Sequence, residues 1–240
     1  MHRMMIRISA ALLTFALGVA AAVIYRINQV TPTIPTVEPK IEVTILPFPA
    51  VCYPGRSVET NTMAKSWYFP PKVFSENDWS NQFQADWFSS HLRAMNEVPL
   101  RMWDDGLTDT YRFLWLRSFH HPVAVRIWRD GSERFISVKE MSGAGGYEPG
   151  NLILNEQRTL TAEEWSQFKR LLDHACFWQL PTVEETRGLD GAQWIFEGVK
   201  DGRYHIVNRW SPQSGSYHEL CLYMLRLSGL KIDTTIEPLY

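Results

Sequence analysis

His120-His121-Pro122, Asp190, Glu197 and His205 are the side chains of this sequence with types suited to acid–base work or ion binding. Histidine titrates near neutrality, and a carboxylate beside it raises its pKa. Adjacent residues of an extended segment point to opposite faces, so at most one of His120 and His121 can face a given pocket. Glu197 and His205 lie on opposite arms of a hairpin that turns at Asp201-Gly202. A two-residue turn sets Glu197 beside Ile206, on the other face from His205, whereas a three-residue turn from Lys200 pairs Glu197 with His205. Both registers are open at this stage, and a structural ion pair is favoured over a catalytic one because such pairs also perturb pKa values. A catalytic reading, an envelope hydrolase or a metal-dependent enzyme, needs these groups within about 4 Å of one another or of one cavity. No His-Glu-x-x-His, Cys-x-x-Cys or Gly-x-Ser-x-Gly motif is present, so neither a metal nor another cofactor is expected.

Binding candidates are Arg117, Tyr147, Glu148, Trp194, Arg209 and Trp210. Arginine with tryptophan could receive an acidic group or a sugar, and Arg209 is expected to stack on Trp194 across the strands. Tyr147 and Glu148 belong to Ser142-Gly-Ala-Gly-Gly-Tyr-Glu-Pro-Gly150, with four glycines in nine residues. That run lacks the Lys-Ser/Thr of a phosphate loop, so it reads as a specially shaped connection before a ligand-shaping loop.

The elements that must position these residues follow from periodicity. Ser75 and Asp78 open a helix near 76–96, whose stripe Trp79, Phe83, Trp87, Leu92 and Met95 reads as core-facing, with a sugar-binding or membrane-lying surface as the lesser alternative. Strand patterns follow Tyr111, and Asp130-Gly131 turns a hairpin that sets Val125 opposite Ile136 and Val123 opposite Val138. Leu152 to Leu160 is a further strand. Thr161 with Glu164, and Ser216 with Glu219, form capping boxes of two helices, the second stopping at Gly229. The order is α+β: an antiparallel sheet of two Asp-Gly hairpins plus further strands, packed by two or three helices after an N-terminal membrane segment. A module acting through an unprotected sheet edge is a further option.

Ile8 to Tyr25 is an uncharged run of 18 residues preceded by Arg3 and Arg7 and followed by Arg26. Residues 1–27 therefore read as a transmembrane anchor, or as a cleaved signal peptide, and either exports the body. Residues 28–65 are proline-rich and form a semi-rigid spacer; residues 66–240 are a single α+β domain. The expected place is the cytoplasmic membrane with an exported C-terminal domain, or the periplasm or exterior if the leader is cleaved. Formal charge is −2 from 24 bases and 26 acids, and removing the three leader arginines leaves 21 against 26. That balance excludes a nucleic-acid footprint. The membrane through residues 8–25 and an envelope protein or glycan are the expected partners. Of three cysteines, Cys52, Cys176 and Cys221, the last two lie in or at the end of apolar helix patterns, and export would permit a bridge between them.

The runs YRFLWLRSFHHPVAVR (111–126), SGAGGYEPG (142–150), GLDGAQWIFEGV (188–199) and YHIVNRWSP (204–212) resemble a family of bacterial exported or membrane-tethered proteins with no assigned activity. The resemblance covers about Ser75 to Tyr240. It implies export and no catalytic role for any residue; Cys176 departs from the smaller residue, such as Gly, expected there.

Overall fold

Eight consecutive residues, Thr110–Arg117, are buried along their whole length, the condition of a strand covered on both faces. They form β1, the fourth strand of a six-stranded antiparallel sheet in the order β4-β3-β2-β1-β5-β6. The other strands are β2 (Val123–Asp130), β3 (Glu133–Met141), β4 (Leu152–Thr159), β5 (Ala192–Lys200) and β6 (Arg203–Trp210). The helices are α1 (Asp78–Ala94), α2 (Ala162–His174) and α3 (Ser216–Ser228). This computed structural model describes residues 68–102, 109–184 and 188–232 together with Leu239, all within the unit Ile41–Tyr240. The run 8–25, the spacer 28–65 and Cys52 lie outside the described residues. Among the described residues no helix is long and apolar enough to cross a membrane.

Alternation along the strands divides the core in two. Tyr111, Phe113, Trp115, Val125, Ile136, Phe196 and Val207 point to one face, where Trp165, Phe168 and Leu172 of α2 and Leu220 and Met224 of α3 cover them. Leu114, Leu116, Ala124, Ile195 and Ile206 point to the other, beneath Ala85, Phe88 and Leu92 of α1 with Phe69 and Phe74. Each layer buries one face of the sheet, which is how an α+β domain satisfies both.

The same Asp-Gly dipeptide makes two different turns. Asp201 (φ 50°) and Gly202 (φ 72°) both take positive φ, as a type I′ turn requires, and Glu197 therefore pairs with Ile206. In the first hairpin Asp130 pairs with Glu133, so the loop is Gly131-Ser132 and Gly131 (φ 56°) sits at the first central position. The register is shifted by two from the sequence expectation: Val125 faces Val138, and Ile127 faces Ile136. A slip of two preserves the buried face, so the apolar pattern could not detect it.

Helix ends also depart from expectation. The α1 cap is Asn77, whose side chain accepts from the Ser80 amide, rather than Ser75. Thr161 and Glu164 form the complete capping box at α2, but α3 begins after Gly215 with no side-chain cap, so Ser216 and Glu219 do not form one. Gly229 closes α3 at φ 70°. Cys221 is a buried free thiol, so it does not bridge to Cys176.

The stripe assigned to α1 is the largest correction. Leu92 and Met95 are fully buried, but Trp79 is 77% and Phe83 56% exposed. At roughly 100° per residue, Trp79 and Phe83 lie nearly opposite Phe88, Leu92 and Met95, and the half-buried Trp87 sits between the two stripes. The step of five residues from Trp87 to Leu92 joined two separate stripes.

Candidate functional site

One end of the sheet gathers the ends of β1 and β3, the starts of β2 and β4, and the entry to β5. Their loops are tied by backbone bonds: Gly145 N–H to His120 O (2.9 Å), Gly146 N–H to Ser118 O (3.2 Å) and Ser118 N–H to Gly191 O (2.9 Å). The glycine run between β3 and β4 folds back on itself, Gly143 and Ala144 donating to the carbonyls of Pro149 and Glu148. Gly145 lies so close to β1 that an added Cβ would stand 2.6 Å from the Arg117 backbone nitrogen, which explains why glycine occupies this position.

This loop faces the exposed stripe of α1. The Trp87 indole donates to the Gly145 carbonyl at 2.8 Å, fixing helix to loop. Between them runs a shallow groove of about 450 Å³ lined by Phe83, Asp86, Trp87, Ser90, Gly146, Tyr147 and Glu148. Tyr147 is 65% exposed and meets the Phe119 ring at 6.2 Å. On α1 the rings continue as a row, Trp79 to Phe83 at 5.7 Å and Phe83 to Trp87 at 6.1 Å. The acids are Asp86, one of whose oxygens accepts from Gln82 at 2.8 Å, and Glu148, which is exposed. Among the described residues no lysine or arginine lines the groove. Rings that can stack beside carboxylates that accept hydrogen bonds can hold a donor-rich ligand.

His91 lies one turn beyond Trp87, fully buried, and neither ring nitrogen closes a hydrogen bond. Burial lowers its pKa to about 4, with the nearby Gly145 backbone opposing weakly. The ring is thus neutral at physiological pH.

Glu197 belongs elsewhere, in a charged cluster buried under α1. It accepts from Arg112 Nε at 2.9 Å and from the Tyr204 hydroxyl at 2.8 Å. Arg112 also donates to the Val98 carbonyl at 2.7 Å and meets Glu97 at 3.4 Å. Glu97 in turn receives Arg126 (2.9 Å) and Lys139 (2.8 Å). Burial works to raise the Glu97 carboxyl, but Arg112, Arg126 and Lys139 together hold it below the usual range. Burial and the Glu197 charge push the Tyr204 hydroxyl well up. Every ionic partner is occupied, so the cluster has the form of a structural network.

His205 points to the other face, its Nε2 donating to the Leu180 carbonyl at 3.0 Å and its ring against Phe177 at 5.0 Å. Burial lowers its pKa, with Arg203 and Arg209 in the same direction. His121 pairs with Glu140 at 3.0 Å near the surface. His120 and the exposed Asp190 belong to the loop end, far along the sheet from Glu197 and His205. The structure therefore does not assemble the catalytic constellation that the sequence allowed, and no group of three His, Cys, Asp or Glu among the described residues could hold a metal ion.

Of the binding candidates, Tyr147 and Glu148 line the groove. Arg117 lies over Trp115 at 4.0 Å in the core. Arg209 is not stacked on Trp194: it lies over Tyr217 at 5.6 Å, pairs with Glu184 at 3.0 Å and donates to the carbonyls of Pro181 and Thr182. The α3 residue His218 stacks on Trp194 instead, at 5.3 Å. The Trp210 indole packs on Gly188 and Gly191. Asp86, Ser90 and Gly146 line the groove with no mark in the sequence that singles them out, whereas Phe83 and Trp87 belong to the stripe for which a sugar-binding or membrane-lying surface is the lesser reading. No family model matches this chain, and no curated protein is similar to it.

Proposed function

We propose that this chain is a non-catalytic binding module of the bacterial envelope, an exported domain held at the outer side of the cytoplasmic membrane through residues 8–25, whose ligand occupies the groove between α1 and the 142–150 loop. The observation that carries the reading is the exposed aromatic row facing a hydrogen-bonded loop. A monomeric domain gains nothing in stability by leaving Trp79, Phe83 and Tyr147 in water, and exposed rings gathered round a concavity mark an interaction site. Export accords with the uncharged leader and with the resemblance of residues 75–240. The test is crosslinking in cells from a photoreactive phenylalanine at position 83, with one at Glu163 on the far side as control. Adducts in the envelope fraction from position 83 alone support the reading; none from either position, or equal labelling from both, removes it.

A further inference from the structure

We infer that the groove is a subsite for a polysaccharide strand, with hexose rings lying on Phe83, Trp87 and Tyr147 and their hydroxyl or ammonium groups donating to Asp86 and Glu148. This rests on the reading of the groove as a binding site and adds the class of ligand.

Three features select that class. The first is charge: among the described residues two carboxylates and no base line the groove, which disfavours phosphate- or carboxylate-rich ligands and favours neutral or cationic ones. The second is the mixture of surfaces. A pyranose presents C–H groups on its faces and hydroxyl donors on its rim, so it matches aromatic rings flanked by acceptors. A lipid chain would offer no donor to Asp86 or Glu148 and would cost them part of their hydration. The third is extent. On α1 Trp79 stacks against Phe83 at 5.7 Å and Phe83 is tilted to Trp87 at 6.1 Å, so the aromatic surface runs past the groove to Trp79, as an extended ligand requires. The walls are already set, since Trp87 is bonded to Gly145 and the loop to β1, so little ordering is needed on binding. A volume of about 450 Å³ is within the roughly 300–1,000 Å³ of small-ligand sites.

The experiment is titration of the full chain in detergent with three trimers: N-acetylglucosamine (neutral), glucosamine (cationic) and galacturonic acid (anionic), followed by tryptophan fluorescence and calorimetry. The neutral and cationic trimers should bind saturably and the anionic one should not. Phe83→Ala and Tyr147→Ala should each weaken binding about tenfold, equal to about 1.4 kcal/mol, with thermal melts unchanged because both rings are exposed. Glu148→Gln should weaken the cationic trimer more than the neutral one. If neither trimer binds while the position-83 crosslink still forms in cells, the binding module stands and the glycan assignment falls. Binding that both ring substitutions leave intact also overturns it.

Discussion

Glu197 and Glu148 are carboxylates served by the same sheet, and their surroundings are opposite. Glu197 is fully buried and locked by Arg112 and Tyr204; Glu148 is exposed at the rim of a groove beside three aromatic rings. The rings differ in the same way: Phe88 is enclosed while Phe83, on the same helix, is 56% exposed. A buried charge whose partners are all within the fold has nothing left to offer a ligand. An aromatic ring and a carboxylate left in water retain their whole capacity for contact. Residue type alone therefore does not mark the site; what marks it is interaction capacity that the fold has not consumed.

This contrast can be broken most severely at the buried cluster. Glu197→Ala removes the nearer of the two carboxylates that Arg112 meets in the interior, leaving it Glu97 and the Val98 carbonyl, and should cost up to roughly 3–5 kcal/mol of stability, read as a lower midpoint in denaturant unfolding. Because the groove is separate, trimer binding measured on the residual folded protein should stay within about twofold of the parent. A large loss of affinity with little loss of stability would show that the cluster is functional after all.

A smaller effect is expected from His91, which joins the two regions by lying beneath the loop at Gly145. Its pKa of about 4 in the fold compares with 6.5 ordinarily, so the unfolded chain takes up the proton first. Stability from this group is complete above about pH 6.5, declines as pH falls toward 4 and levels off below, a total of roughly 3 kcal/mol at most. His205 and His218, also lowered by burial, add slope of the same sign. Glu97, held low by its cationic partners, adds its own loss only below about pH 4.5. His91→Leu should flatten the decline between pH 6.5 and 4 in guanidinium titrations run across pH. A slope identical to the parent would mean the ring is not buried neutral.

The smallest stability effects belong to the groove itself. Phe83→Ala and Tyr147→Ala should change unfolding free energy by no more than about 0.5 kcal/mol, as exposed substitutions do. A loss above 2 kcal/mol in either would make these rings part of the core and remove the distinction drawn above.

Much of the architecture was legible from local pattern. The Asp201-Gly202 turn, the Thr161–Glu164 capping box and the Gly229 stop each depend on a few neighbouring residues whose hydrogen bonds or φ angles have one good solution. Tyr147 and Glu148 were legible as candidates because a glycine-dense run draws attention to whatever it carries. For Phe83 and Trp87 the binding surface ranks below the core-facing one in the sequence, because hydrophobic periodicity records how often apolar residues recur, not which stripe the sheet covers. Glu97 gave no sign of meeting Arg126 and Lys139, since it follows a helix exit while they stand on the two arms of the first hairpin.

Chain chemistry by itself determined the alternation of helix and strand and the antiparallel pairing, since each depends on short-range geometry. Only the tertiary structure decided which side of α1 faces water, that Glu197 belongs with Arg112 rather than His205, and that Tyr147 and Glu148 stand opposite Phe83. The last two are relations between residues 64 to 85 positions apart, and such contacts depend on how layers stack, a property that no local window of sequence contains.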